Sequence, residues 1–190
     1  MKTIWLIIFF LTCNTSCKKN GIQEEIKSPI INTPVMNNDT SSSVKKYTYL
    51  ALGDSYTIGQ NVPAAENYPN QVTELLRKQK LEGKAKIIAV TGWTTDNLEN
   101  GIKKAEANGE LLTSYDIVTL LIGVNNQYQG QPAADYLPKF EASLKRAILF
   151  AGNKATHVIV ISIPDWGVTP FAGVRDRNKI AAEIDEYNAI

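Results

Sequence analysis

Three short loops of this sequence carry residue types that acyl-transfer chemistry uses. The first holds Asp54 and Ser55 directly after the apolar run 47–53, the second holds Gly92, and the third holds Asn125. A serine hydroxyl can attack a carbonyl carbon. A peptide N–H at a glycine and a side-chain amide can donate hydrogen bonds to the oxyanion that then forms. The residues therefore suggest a nucleophile and two oxyanion donors on three separate loops.

Each loop also has an ordinary structural explanation, and taken alone that explanation outweighs the catalytic one. Asp and Ser both cap helices well, so Asp54-Ser55 is by itself a weak signal. Gly92 fits a plain strand-to-helix turn, and Asn125 fits a turn asparagine that bonds to its own backbone. The combination favours chemistry, because an acyl-transfer site needs a nucleophile and several donors around one oxygen.

The segments between the loops alternate between apolar runs and helical periodicity. The pattern predicts strands over 47–53, 85–90, 116–123 and 157–163, and helices over 68–80, 95–107, 133–152 and from 179 onward. Runs of Val, Ile and Leu are typical of strands buried on both faces, as in a parallel sheet that helices cover. Reactive residues in such sheets gather at the carboxyl ends of the strands, so we expect the three loops to lie side by side.

Together these motifs resemble those of the SGNH (GDSL-type) hydrolases. Gly53-Asp54-Ser55 matches the first block of that family, Gly92 its second, and Gly123-Val124-Asn125 its third, Gly-x-Asn. Asn126 departs from the commoner Gly-x-Asn-Asp, which we interpret as a tolerated variant. The stretch 162–170 is similar to the loop after the fourth strand in one branch of the family. The resemblance covers the chain from about residue 47 to its C-terminus.

The resemblance implies a fold and a mechanism. The fold is an α/β class, a three-layer α/β/α sandwich with a flavodoxin-like, five-stranded parallel sheet. Ser55 is the implied nucleophile, and the N–H groups of Ser55 and Gly92 form the oxyanion hole with the side chain of Asn125. Asp54 is expected to orient the loop rather than to act as a base. The implied reaction is ester hydrolysis through an acyl-enzyme, with no cofactor and no metal.

The base of the family, a histidine in an Asp-x-x-His block, has no match in the sequence. The single histidine, His157, begins the predicted fourth strand at the end opposite the three loops. Asp165 and Asp176 have no histidine three positions on. Since 183–190 follows a helical pattern without a stop signal, we expect the fifth strand and the base to lie beyond Ile190. We also expect residues 1–190 alone to be nearly inert beside a longer parent.

The N-terminal segment 1–17 is typical of an export signal. A positive start precedes an apolar run that is too short to stay in a bilayer as a spanning helix. The segment ends at Cys17, the predicted site of lipidation, with Cys13 as the competing site; an ordinary secretory signal with incidental cysteines is the alternative. Residues 18–46 are polar and predict a flexible tether, and 47–190 form the predicted hydrolase domain.

The composition of the chain limits the classes of partner that it is expected to bind. The 190 residues are 44% hydrophobic and 21% charged, with a formal net charge of +1, which gives no general attraction to nucleic acid. Both cysteines lie in the leader, so the domain is expected to lack disulfides. We expect a monomer acting on a small-molecule or glycan ester, with membrane contact only through the N-terminal lipid. The expected location is the bacterial cell envelope, and Lys18 after the lipidated cysteine favours the outer membrane.

Two other functions fit the same pattern. In the first, Ser55, Tyr56, Thr57 and Gly59 line a phosphate loop in a flavodoxin-like module that binds a nucleotide or flavin. In the second, the chain is a family member without catalysis that binds glycans. The sequence selects neither the acyl group nor the alcohol of an ester substrate.

Overall fold

The computed structural model describes residues 44–190. The export signal over 1–17, its two cysteines and nearly all of the predicted tether lie outside the described residues. The strands are β1 Lys45–Lys46, β2 Tyr49–Gly53, β3 Leu81–Glu82, β4 Ala85–Ala89, β5 Ile117–Leu121 and β6 Val158–Val160. The helices are α1 Ser55–Ile58, α2 Tyr68–Lys78, α3 Thr95–Ala107, α4 Val124–Tyr128, α5 Ala133–Phe150 and α6 Arg177–Asn188.

The main sheet is parallel and has the strand order β4-β2-β5-β6, while β1 and β3 form a separate parallel pair. In the sheet, Tyr49 pairs with Ala85 on one side and with Ile117 on the other. The chain leaves β2 for β4 through α2 and then crosses back over β2 to β5 through α3. This reversal of direction opens a crevice at the carboxyl ends of β2, β4 and β5, where ligands bind in sheets of this kind.

Helices cover both faces of the sheet. On one face, α3 and α5 pack against alternate strand residues, and the buried set is Leu50, Leu52, Val118, Leu120, Leu98, Ile102, Ala105, Ala147 and Phe150. On the other face, α6 contributes Ile180, Ile184 and Tyr187 to a cluster with Leu121. Tyr68 of α2 bonds to Thr119 on that face at 3.0 Å. The predicted α/β/α layering is therefore confirmed.

The observed elements refine the predicted ones. Helix α3 has the predicted bounds because Thr94 and Asn97 form a capping box at its start. Leu75, whose spacing helped to predict α2, is 60% exposed. Burial on both faces does not extend to β6, the edge strand of the described sheet, where Ile159 is 54% and Val160 is 48% exposed. Between residues 44 and 190, no helix combines the length and the apolar character that crossing a membrane requires.

Candidate active site

The turn after β2 presents Ser55 at the first position of the short helix α1. Asp54 is the N-cap of that helix, is fully buried, and accepts a hydrogen bond from the Tyr56 N–H at 3.0 Å through Oδ1. Ser55 itself is half-buried. The cap fixes the direction of the chain at the strand end. Asp54 therefore holds the turn in place, as the sequence suggested, and its carboxylate does not line the cavity described below.

Gly53 is required at the end of β2 because there is no room for a side chain. A Cβ at this position would lie 2.0 Å from Oγ1 of Thr57 and 2.5 Å from the carbonyl oxygen of Leu121. Thr57 is fully buried beneath the turn. The absent side chain lets α1 pack directly on the strand ends, which brings Ser55 close to the loop after β5.

The carboxylate of Asp54 is buried in surroundings that disfavour its charged form. Burial raises its pKa to about 6, against an ordinary value of 3.8, and the hydrogen bond from the Tyr56 N–H opposes that rise. Its second oxygen, Oδ2, is buried without a hydrogen-bond partner within residues 44–190. The negative charge beside the serine thus costs folding free energy at neutral pH.

Gly92 lies in the loop after β4 and exposes its backbone. Its φ of 82° is in the left-handed region, and a Cβ there would meet no atom within 4 Å. Within the described residues, the N–H of Gly92 has no hydrogen-bond acceptor. The glycine therefore leaves a backbone donor free for a bound group.

Asn125 comes from α4, directly after β5. Its Nδ2 donates a hydrogen bond of 2.8 Å to the carbonyl oxygen of Trp93 in the neighbouring loop. An amide nitrogen carries two hydrogens, so this bond orients the side chain and leaves one N–H for a ligand. Gly123, the N-cap of α4, has a φ of 129°, and a Cβ there would lie 2.6 Å from the hydroxyl of Tyr136.

Asn126 connects the loops after β4 and β5 from below. It is 1% exposed, and its Oδ1 accepts from the Thr95 N–H at 3.1 Å. Its Nδ2 donates to Thr95 Oγ1 at 3.0 Å and to Gln131 Oε1 at 2.7 Å. This residue, which sequence reasoning treated only as a tolerated variant, satisfies its own polar atoms and fixes the start of α3 against α4.

Ser55, Gly92 and Asn125 line one cavity of about 450 Å³ at the carboxyl edge of the sheet. Among residues 44–190, it is lined by Ser55, Tyr56, Gln60, Asn61, Thr91, Gly92, Val124, Asn125, Tyr128, Trp166 and Phe171. The three loops therefore lie side by side, as the sequence predicted, since one residue of each lines the same cavity. In the described part of the chain, no histidine, aspartate or glutamate lines this cavity.

One wall of the cavity is aromatic and was not foreseen from the sequence. Tyr128 lies 5.3 Å from Trp166 and 5.7 Å from Phe171 between ring centroids, and Trp166 lies 5.9 Å from Phe171. The guanidinium of Arg175 stacks over the ring of Tyr128 at 5.3 Å and over that of Trp166 at 5.7 Å. We refer to Tyr128, Trp166 and Phe171 as the aromatic wall.

His157 lies at the opposite edge of the sheet, as the sequence suggested. It ends the one-turn 3-10 helix Ala155–His157 directly before β6. The pKa of Asp116 is lowered, first by the hydrogen bonds from the Thr48 N–H and hydroxyl and to a smaller extent by the electrostatic influence of His157 and Lys154. Within residues 44–190, no group of three or more His, Cys, Asp or Glu side chains is placed to hold a metal ion.

The four-stranded parallel sheet, covered by helices and with a cavity lined by Ser55, Gly92 and Asn125 at the carboxyl ends of its strands, defines an α/β protein of the α/β/α layered class. Residues 51–190 match the model of the GDSL-like lipase/acylhydrolase family. The chain belongs to this family, which confirms the predicted relationship to the SGNH hydrolases and agrees with a hydrolase function. A comparison with curated proteins finds no match.

Solved structures share the fold. A member of the lipolytic G-D-S-L family from Veillonella parvula is 17% identical with a TM-score of 0.54, covering 75% of this chain and 68% of its own. TesA is 15% identical with a TM-score of 0.51, covering 74% and 68%. AlinE4, an SGNH-hydrolase family esterase, is 18% identical with a TM-score of 0.50, covering 74% of both chains. At these identities, the similarity describes the fold alone.

Proposed function

We propose that this chain is a serine ester hydrolase in which Ser55 forms an acyl-enzyme. The observation that carries the proposal is the shared cavity: Ser55, Gly92 and Asn125 reach it from three neighbouring strand ends. The Ser55 Oγ attacks the carbonyl carbon of the ester, and the electron pair of the C=O bond moves to oxygen. Collapse of this intermediate expels the alcohol, and water then releases the acid from Ser55.

The oxyanion is held by three donors in this proposal. They are the N–H groups of Ser55 and Gly92 and the second Nδ2 hydrogen of Asn125. The Gly92 N–H has no other acceptor in the described chain, and the Asn125 amide is already oriented by Trp93. Preorganised donors stabilise the developing charge because they need no reorganisation, and each contributes about 3 kcal/mol.

The proton acceptor for Ser55 is the part of the mechanism that the cavity does not supply. None of the lining residues between 44 and 190 carries an imidazole or a carboxylate. The expectation of a base in an Asp-x-x-His block beyond Ile190 stays a prediction. The lipid anchor at Cys17, or at Cys13, and a location in the cell envelope belong to the same proposal and rest on the sequence alone.

The proposal is tested with a fluorophosphonate probe, which adds covalently to an activated serine. Dissolved imidazole, added as an external base, should accelerate labelling of the chain. The exposed Ser114→Ala variant should behave like the unaltered chain, and Ser55→Ala should remove the label. Labelling that persists in Ser55→Ala, or a rate that does not respond to imidazole, would contradict the assignment of Ser55 as nucleophile.

The nucleotide-binding alternative has less support. A phosphate loop needs positive charge or several converging N–H groups around the phosphate. The lining contributed by residues 44–190 contains neither lysine nor arginine. We therefore do not extend the proposal to a nucleotide or a flavin.

A further inference from the structure

We propose that the amino edge of the sheet, opposite the cavity of Ser55, binds the surface of a bilayer that contains anionic phospholipids. This inference is independent of the proposed hydrolase function, and it adds a second membrane contact to the N-terminal lipid expected from the sequence. It follows from a set of exposed cations that the fold gathers at this edge: Lys45, Lys46, Arg77, Lys78, Lys80 and Lys84. We refer to these six residues as the basic face.

The topology of the chain gathers these cations from segments that are distant in the sequence. A helix that connects two parallel strands runs back along the sheet, so the C-terminal end of α2 lies at the amino edge. The start of β4, directly after Lys84, lies at the same edge. β1 brings Lys45 and Lys46 there because it pairs with β3, and the Lys45 N–H donates to the carbonyl oxygen of Lys80 at 3.3 Å.

Part of the basic face surrounds a cavity of about 590 Å³ that residues of α2, β1 and β3 line. Its charged lining residues are the cations Lys46, Arg77 and Lys84 and the carboxylates Glu74, Glu82 and Asp116. Cations that border one recess act together on an anion, and the phosphate of a lipid headgroup is small beside a cavity of this volume.

Two of the three carboxylates already have partners. Glu74 pairs with Arg77 at 2.7 Å on the surface of α2. Asp116 accepts hydrogen bonds from the N–H of Thr48 at 2.8 Å and from its hydroxyl at 2.9 Å. These two carboxylates therefore leave most of the positive charge of the basic face uncompensated.

Lys45, Lys46 and Lys84 carry the excess positive charge. All three are exposed, and they form no ion pair with any side chain between residues 44 and 190. The basic last turn of α2 offsets the negative end of the helix dipole, but that explanation does not extend to lysines on strands and loops. Since the formal net charge of the chain is only +1, the excess is local to this edge.

Two features favour a bilayer over a nucleic acid as the partner. The segment that the sequence predicts as a tether joins the domain at this face, through Val44 and Lys45. In addition, Leu75 is 60% exposed and lies on the same side of α2 as Lys78, three positions on. An exposed leucine beside lysines suits the boundary between headgroups and acyl chains, whereas a phosphate backbone offers it no apolar surface.

Binding through the basic face orients the domain. Strand β2, Tyr49–Gly53, connects the two edges of the sheet, and five residues in a strand span about 17 Å. Ser55 follows the far end of that strand. A bilayer in contact with the basic face therefore leaves the cavity of Ser55 open to the solution.

The experiment measures partition of the full chain of residues 1–190 onto lipid vesicles by sedimentation. One set of vesicles consists of phosphatidylcholine, and in the other set about a third of the lipid is replaced by phosphatidylglycerol. We expect stronger binding to the anionic vesicles, and we expect about 0.5 M salt to remove the difference, because added ions screen the charges.

Matched triple variants locate the contact. Combined Lys45→Gln, Lys46→Gln and Lys84→Gln should weaken binding to the anionic vesicles on the order of a hundredfold. The control combines Lys139→Gln, Lys145→Gln and Lys179→Gln, on α5 and near the start of α6, and should bind like the unaltered chain. Both variants have the same net charge and keep residues 1–43, so any contribution of that segment cancels; circular dichroism checks that both fold.

A second pair of variants tests the apolar part of the contact. Leu75→Ser should weaken binding to the anionic vesicles by a few fold. Leu137→Ser, at a leucine of α5 that is 49% exposed, is the control and should not weaken it. No difference between the two variants would show that Leu75 does not contact the bilayer.

Three outcomes overturn the proposal as a whole. They are equal binding of the two lysine variants to anionic vesicles, equal binding of the unaltered chain to neutral and anionic vesicles, and tighter binding of a single-stranded oligonucleotide than of anionic vesicles. The last outcome, if it is lost in the basic-face variant, assigns the face to nucleic acid instead.

Discussion

The side-chain nitrogen of Asn125 lies 2.8 Å from the carbonyl oxygen of Trp93, so the loop after β5 is tied to the loop after β4. This bond orients one proposed oxyanion donor relative to the loop that carries a second one, the N–H of Gly92.

Replacing Asn125 should lower the reactivity of Ser55 far more than it lowers the free energy of unfolding. Asn125→Ala removes the donor and its anchor, and we expect the imidazole-assisted labelling of Ser55 to slow by about 10²–10³-fold. Gln129→Ala, an exposed amide at the end of the same helix, is the control and should label normally. An Asn125→Ala chain that labels at the unaltered rate would remove this side chain from the oxyanion hole.

Gly92→Ala should lower both stability and reactivity. Its φ of 82° imposes about 1–2 kcal/mol of strain on an alanine, and relief of that strain would reorient the N–H proposed as an oxyanion donor. Gly109→Ala is a matched control, because Gly109 also has a positive φ of 66° and open space around its Cβ. Urea denaturation should give similar losses for the two variants, while only Gly92→Ala slows labelling.

Gly53→Ala should be severely destabilising. The added methyl group would lie 2.0 Å from Thr57 and 2.5 Å from a carbonyl oxygen of β5, so the backbone itself must move. We expect a loss of about 3 kcal/mol or more in the free energy of unfolding. Gly109→Ala, where a Cβ meets open space, should cost only the strain of its positive φ, about 1–2 kcal/mol; equal losses would contradict the packing argument.

Asp54 should make the protein less stable as the pH rises. Its folded-state pKa of about 6 lies above the ordinary 3.8, so the folded chain binds this proton more tightly than the unfolded chain does. The resulting penalty is absent below pH 3.8, grows between pH 3.8 and 6, and reaches about 3 kcal/mol above pH 6.

The Asp54→Asn variant isolates this effect, because an amide oxygen can still accept from the Tyr56 N–H. The free energy of unfolding of the variant minus that of the unaltered chain should increase from pH 4 to pH 7. The exposed Asp135→Asn variant controls for the loss of a carboxylate. A difference that stays constant over this range would mean that Asp54 does not titrate there.

The absence of a proton acceptor among the described lining residues predicts slow hydrolysis. Since no imidazole or carboxylate of residues 44–190 lines the cavity, the chain of residues 1–190 should hydrolyse p-nitrophenyl acetate slowly. A version extended beyond Ile190 to include an Asp-x-x-His block should be faster by about 10³-fold or more. Equal rates in the two versions would show that Ser55 needs no such base.

The sequence was a good guide to the elements and to the three loops. Helix α3 was predicted with its observed bounds, because the Thr94 cap and the spacing of its apolar residues agree. The one-turn helices α1 and α4 were missed, since four or five residues give no periodicity to detect. The exposure of Leu75 was also not evident, because spacing alone does not say which part of a helix the sheet covers.

The aromatic wall could not be derived from the sequence. Trp166 and Phe171 are close in the chain, but Tyr128 comes from α4, and only the packing of the 166–172 segment beside that helix unites the three rings. The role of Asn126 in connecting the two loops could not be predicted from the sequence either, because its partners Thr95 and Gln131 are brought to it only by the tertiary structure.

The strand order described above has a consequence for how this protein acquires activity during folding. β2 becomes a central strand only when β5 docks beside it, and the bond between Thr48 and Asp116 joins residues 68 positions apart. Parallel pairing over such distances forms slowly, because the intervening chain must close a large loop first. In a nascent chain in which β5 has not yet been synthesised, Ser55 therefore lacks Asn125 beside it. We expect the reactivity of Ser55 to appear only late in folding, together with the complete tertiary structure.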